Sequence, residues 1–94
     1  MSGKNRVHAV VSGVVQGVGF RWFVQKTAAD MSIDGWVKNL PNGDVELEAE
    51  GEKDTLNSFL STIQKKHSWA RVDNINLDDL PAYNSKKSDF KIIY

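Results

Sequence analysis

Apolar and polar positions change period several times along this chain, and each change marks an element. Arg6 to Ser12 is short and apolar-rich (Val7, Ala9, Val10, Val11), which predicts a buried strand. From Phe20 the spacing turns helical. Phe20, Val24, Thr27, Ala28 and Met31 share one face, so an amphipathic helix is expected through about Met31. Gly35 to Leu40 reads as a second strand, and Pro41-Asn42-Gly43 supplies the turn, since proline presets one torsion while asparagine and glycine tolerate the left-handed region. The third strand alternates cleanly, with Val45, Leu47 and Ala49 on one face and Asp44, Glu46, Glu48 and Glu50 on the other. That pattern predicts a sheet with one packed and one wet face, the Glu46-Glu48-Glu50 row being solvated.

After Gly51, Leu56, Phe59, Leu60 and Ile63 fall at i, i+3, i+4 and i+7, predicting a second helix with Lys65-Lys66 at its favourable basic end. Arg71 to Leu77 is a weaker strand, interrupted by Asp73, Asn74 and Asn76, and 78–87 reads as loop. Phe90 to Tyr94 is a last strand, expected at an edge. The order βαββαβ with a terminal strand predicts one domain over residues 1–94. Its class is α+β, a ferredoxin-like α/β sandwich with an antiparallel sheet of four to five strands and two helices on one face. Phe20 and Trp36 are expected in the core. Trp22 and Trp69 have no evident place in the pattern.

The composition narrows function by exclusion. Twelve basic residues balance twelve acidic ones over 94 residues, so no overall field draws nucleic acid or an anionic membrane. Cysteine is absent, which removes disulfides, thiolate metal sites and a cysteine nucleophile, and suits a reducing compartment. His8 and His67 stand alone, His8 as a satisfied or exposed strand residue, so no metal site is expected. The N-terminus carries no apolar signal segment, and no run approaches the roughly 20 apolar residues that span a bilayer. A cytoplasmic, free-standing monomer is the expectation.

The informative chemistry lies in Gly13-Val-Val-Gln16-Gly17-Val18-Gly19-Phe20-Arg21. A glycine-punctuated turn opening a helix aims backbone N–H groups at one spot, where the helix dipole also favours negative charge. The amides of Val15, Gln16, Gly17, Val18, Gly19, Phe20 and Arg21 are the candidate donors, and the Arg21 guanidinium adds a planar fork that matches phosphate oxygens. The nucleotide P-loop G-x-x-x-x-G-K-[ST] does not fit, because five residues separate Gly13 from Gly19 and no Lys-Ser/Thr follows. The dinucleotide fingerprint fails at Trp22. The phosphatase loop C-x5-R fails at Val15, where its cysteine would stand. Such a loop holds a phosphate and offers nothing to attack it, so water must do so.

A bare site of this kind favours an acyl phosphate, whose leaving carboxylate is a weak base with a conjugate acid near a pKa of about 4 and needs no acid or metal help. Phosphoryl transfer through a loose transition state reduces mostly to holding charge and aiming the nucleophile. Arg21 and the loop amides supply the first. Asn39, at the end of the second strand, both donates and accepts and suits the second. Read alone, Asn39 is a strand-end or turn-initiating residue before Pro41-Asn42-Gly43, and only its partnership with Arg21 makes it a catalytic candidate.

The loop motif, together with Gly35-Trp36-Val37-Lys38-Asn39-x-x-x-Gly43-x-Val45-x5-Gly51, closely resembles both signature motifs of the acylphosphatase family, over essentially the whole chain. The resemblance implies hydrolysis of the carboxyl–phosphate bond of a small-molecule substrate, no cofactor, inorganic phosphate as product and inhibitor, and Arg21 and Asn39 as the catalytic pair. Val14 is a mild departure, many relatives being polar or basic there. Two rivals remain. One is an acylphosphatase-like domain of a carbamoyl-phosphate-processing maturation protein. The other is an RNA-binding ferredoxin-like module, disfavoured because the partial RNA-recognition signature at Gly17–Phe23 follows the first strand instead of occupying the third.

Overall fold

The computed structural model describes residues 3–65, 69–84 and 89–94. Its elements are β1 (Lys4–Val14), α1 (Phe20–Asp30), β2 (Asp34–Asn39), β3 (Val45–Glu52), α2 (Lys53–Gln64), β4 (Arg71–Leu80) and β5 (Phe90–Ile93). One five-stranded sheet runs in the order β4-β1-β3-β2-β5. This is the expected ferredoxin-like α+β arrangement, with β5 at an edge.

The sheet is mixed and not purely antiparallel, as the sequence pattern had suggested. β1 pairs with β3 and β4, and β2 with β3, all antiparallel, whereas β2 and β5 are parallel. The cause is topological. β1 and β2 both oppose β3 and so share a direction, and β4 opposes β1. A chain that reverses after β4 and docks on the far edge must therefore run with β2.

The apolar face of the sheet and the two helices meet in one core. Val7, Ala9, Val11, Val37, Val45, Leu47 and Ala49 face Phe20, Val24 and Ala28 of α1 and Leu56, Phe59, Leu60 and Ile63 of α2. Each fully buried Leu or Phe stabilises by about 1.5–3 kcal/mol before entropy is counted. Met31, placed by the periodicity at the end of α1, is its C-cap. Lys65 caps α2 with no basic residue in the last turn, and Lys66 lies outside the described residues, as does His67.

Three further expectations change. β4 continues through Leu80, where Leu80 pairs with Arg6, so Asp78, Asp79 and Leu80 belong to a strand and not a loop. Its acidic, exposed residues mask the strand signal because β4 is an edge, where charges discourage pairing with other chains. The loop that follows is described only through Asn84 before Asp89. Trp36 lies opposite Glu48 on the face without helices, half-buried, with the Lys38 ammonium 5.7 Å from its ring, and is not core.

The glutamate row is likewise not a solvated face. Glu50 is 1% exposed. It accepts from Arg6 at 3.2 Å and from the backbone N–H groups of Tyr83 and Asn84 at 2.8 Å each. Arg6 also donates to Glu48 at 2.9 Å and stacks over the Tyr83 ring at 4.0 Å. His8 meets Glu46 at 2.7 Å, so this histidine is satisfied as expected, and Lys38 lies 3.6 Å from the same carboxylate. The segment leading from β4 is thereby tied down across the open face of the sheet. Burial pushes the Glu50 carboxyl up, but the two amides and Arg6 outweigh it and hold its pKa below the usual carboxylate range.

Candidate active site

β1 and β2 run in the same direction with β3 between them, so their C-terminal ends lie on one side of the sheet. The loop leaving β1 therefore arrives near Asn39, the last residue of β2. Gly17 and Gly19 have φ of 72° and 77°, the left-handed region in which a side chain is strained, and they turn the loop into the first turn of α1.

That helix end is left open. Gly19 is the N-cap and provides no side-chain cap, and the first turn contains no acidic residue. The first helical bond runs from the Phe23 N–H to the Gly19 carbonyl at 3.0 Å. The amides of Phe20, Arg21 and Trp22 thus precede the helical ladder and remain to be met by something else. An uncapped helix start beside a guanidinium is a concentrated positive potential that favours an anion.

A cleft of about 220 Å³ opens at this point, lined by Val15, Gly17, Gly19, Phe20, Arg21, Trp22, Asn39, Ile92 and Tyr94. Arg21 and Asn39, distant in sequence, share its wall. The Asn39 Oδ1 is buried and, among the described residues, has no hydrogen-bond partner. An orphaned carboxamide oxygen in a residue that lines a cleft is an acceptor still lacking a donor.

Not every loop residue points inward. The Gln16 side chain turns away and donates through Nε2 to the carbonyls of Leu40 and Asp44, both at 2.7 Å. Val18 packs half-buried against the core. The hairpin that receives Gln16 is closed by Leu40 N–H to Asp44 carbonyl at 2.8 Å and Gly43 N–H to Leu40 carbonyl at 3.2 Å, as its Pro-Asn-Gly sequence predicts.

Three lining residues were not legible in the sequence. Ile92 and Tyr94 enter because β5 docks beside β2, a parallel pairing that no local pattern encodes. Tyr94 places its ring 5.1 Å from the Arg21 guanidinium carbon. Trp22, 61% exposed, stands at the rim. Its position directly after Arg21 in the first helical turn was the available signal. Among the described residues, no group of three or more His, Asp or Glu is placed to hold a metal ion.

Fold and cleft together define a small α+β protein with a cleft, lined by Arg21 and Asn39, at the uncapped start of its first helix. Comparison with known proteins narrows this class. The family model for acylphosphatase matches residues 7–92. An acylphosphatase of Clostridium beijerinckii is 47% identical over 89 residues, covering 95% of this chain and 98% of the relative. The crystal structure of acylphosphatase from Bacillus subtilis superposes with a TM-score of 0.88 at 36% identity, covering 96% of this chain and 99% of that one. Full-length HypF, in a phosphate- and nucleotide-bound form, contains a similar unit, with a TM-score of 0.84 and 27% identity over all of this chain and 12% of its own. The chain belongs to the acylphosphatase family.

Proposed function

We propose that the cleft hydrolyses acyl phosphates to a carboxylate and inorganic phosphate by direct attack of water. The observation that carries this reading is the meeting of Arg21 and Asn39 in one cleft, with the Asn39 Oδ1 buried and without a partner among the described residues. The phosphoryl oxygens lie against the Arg21 guanidinium and the loop amides from Val15 to Arg21, with the open start of α1 beneath them. The Asn39 carboxamide, which both donates and accepts, hydrogen-bonds a water and aims its oxygen at phosphorus. As the P–O bond to the acyl group breaks, its electron pair leaves with the carboxylate. The new P–O bond forms from water, and one water proton passes to a phosphoryl oxygen. One dianionic acyl phosphate and one water thus give one carboxylate and dihydrogen phosphate.

No base is required, because the substrate itself takes the proton, and the weakly basic leaving group requires no acid. The same reading makes the reaction independent of metal and cofactor. It treats the protein as a cytoplasmic monomer acting on a small molecule, with neither nucleic acid nor membrane as partner; a formal net charge of zero supports this. Among the described residues, no helix is long and apolar enough to cross a membrane.

The deciding experiment is timed hydrolysis of a chromogenic aromatic acyl phosphate in parallel with an alkyl phosphate ester, each with and without chelator. Turnover of the first alone, insensitive to chelator, is expected. Preferential turnover of the ester, or loss of activity with chelator, would overturn the reading.

A further inference from the structure

β5 is a strand of four residues at the edge of the sheet, paired in parallel with β2 on one side only. Parallel pairing is the weaker kind, and an edge strand leaves alternate residues with backbone N–H and C=O groups that no ladder satisfies. The Asp89 carbonyl accepts from the Gly35 N–H at 2.9 Å, so Asp89 faces β2 and the next residue, Phe90, turns its carbonyl to the free edge. No strand meets it there. The Gln25 carboxamide of α1 does, donating through Nε2 at 3.2 Å. A helix side chain thus takes the place of a missing neighbour strand.

Gln25 lies one helical turn after Arg21, and residues four apart project from the same side of a helix. Both reach β5. Gln25 holds the Phe90 carbonyl at the start of the strand, and Arg21 places its guanidinium carbon 5.1 Å from the ring of Tyr94, just beyond the strand's end. Arg21, Gln25, Phe90 and Tyr94 therefore close a ring of contacts. Ile92, between the two strand contacts, lines the cleft together with Tyr94, whereas Gln25 stands outside it. Tyr94 is 96% exposed, so the strand behind it does most to keep its ring against Arg21. We propose that Gln25 is a positioning residue: by holding β5 to α1 it keeps Tyr94 against Arg21 and so prearranges the guanidinium for a phosphoryl group. The inference rests on the phosphate-binding role given to Arg21 above and adds to that site a residue beyond its walls. Its signature is in affinity. Arg21 grips phosphoryl oxygens in the bound ground state as well as in the transition state, so a loosened guanidinium weakens both alike.

The test measures binding of inorganic phosphate by titration calorimetry, beside steady-state hydrolysis of a chromogenic aromatic acyl phosphate. The variants are Gln25→Met, which keeps the volume and removes the donor, Gln25→Ala, Tyr94→Ala, and Gln25→Met combined with Tyr94→Ala. Each single Gln25 variant should weaken phosphate binding and raise KM by about fivefold with kcat nearly unchanged, the scale of leaving one long side chain to be ordered on binding. On the Tyr94→Ala background Gln25→Met should add no further loss, because its effect runs through that ring. Circular dichroism melting checks that each variant is folded at the assay temperature. A lowered melting midpoint with phosphate affinity unchanged in both Gln25 variants would make the contact merely structural and overturn the positioning role. So would a full further loss on the Tyr94→Ala background. Either result leaves the hydrolytic reading intact. A wild type that binds no phosphate would instead overturn the reading of the cleft, and the positioning role with it.

Discussion

Gln16 reaches out of the loop before α1 and hydrogen-bonds the carbonyl of Leu40, the residue immediately after Asn39, at 2.7 Å. The same Nε2 serves Asp44 across the hairpin mouth at equal distance. The loop that presents Arg21 and the strand end that presents Asn39 are thus joined by one side chain, which itself lies outside the cleft. The bridge adds to the sheet a second tie between the stretches that carry Arg21 and Asn39.

Replacing Gln16 with Ala removes both bonds, and at about 1 kcal/mol each should destabilise the fold by about 2 kcal/mol. The more telling effect is on turnover. A positioning role predicts that kcat falls by about tenfold or more while the inhibition constant for inorganic phosphate changes less, because misplacement harms the transition state first. Gln16→Glu, which substitutes an acceptor facing two carbonyls, should be no better than Ala. Steady-state kinetics and urea denaturation of the two variants check this.

Arg21→Ala should abolish measurable hydrolysis of an aromatic acyl phosphate, a loss of at least about 10²–10³-fold, the scale for removing one preorganised charge-stabilising donor. The side chain is half-buried at a cleft rim, and its described contact is the Tyr94 ring, so melting should be little changed. Retention of most activity would contradict its role.

Asn39→Ala should lower kcat far more than it weakens phosphate binding, since a contact made to the attacking water is realised in the transition state. Inorganic phosphate should compete with substrate in both wild type and variant. A variant with weakened phosphate affinity and intact kcat would make Asn39 a binding group.

Acid should unfold the protein partly through Glu50. Its pKa is held below the ordinary carboxylate value of 4.5 in the folded state, despite burial, by the amides of Tyr83 and Asn84 and by Arg6. A carboxyl with a lowered folded-state pKa binds more protons when unfolded. Its stabilisation is therefore complete above the unfolded pKa and is lost as pH falls through the folded one. Glu46, lowered chiefly by its hydrogen bond with His8, acts in the same sense. Urea midpoints measured between about pH 3 and pH 7 should fall below about pH 4.5, and Glu50→Gln should flatten that decline. At neutral pH Glu50→Ala should destabilise by about 3 kcal/mol, the low end for stripping a buried charge of a partner, because Arg6 keeps Glu48.

Much of this was legible in the chain because it is local. The four apolar residues of α2 are all buried, the α1 face ends where its period ends, and the Pro-Asn-Gly turn closes as its torsions require. Arg21 was legible from its place at the end of a glycine-punctuated turn, and Asn39 only in partnership with Arg21 and through the motif that contains it. Long-range pairing was not. Arg6 and Glu50 face each other across β1 and β3 by register, and alternation alone cannot tell a glutamate facing water from one facing a buried arginine. Edge strands are faint for a related reason. β4 meets one neighbour and keeps its acids exposed, so its last three residues read as loop. Ile92 and Tyr94 could be assigned to the cleft only once β5 was seen beside β2.

The placement of β5 sets an order of events during synthesis. A nascent chain that has not yet reached Phe90 already carries Arg21, Asn39 and the whole phosphate loop, but lacks the wall that Ile92 and Tyr94 provide. Completion of the cleft therefore awaits the synthesis of β5 and its docking beside β2.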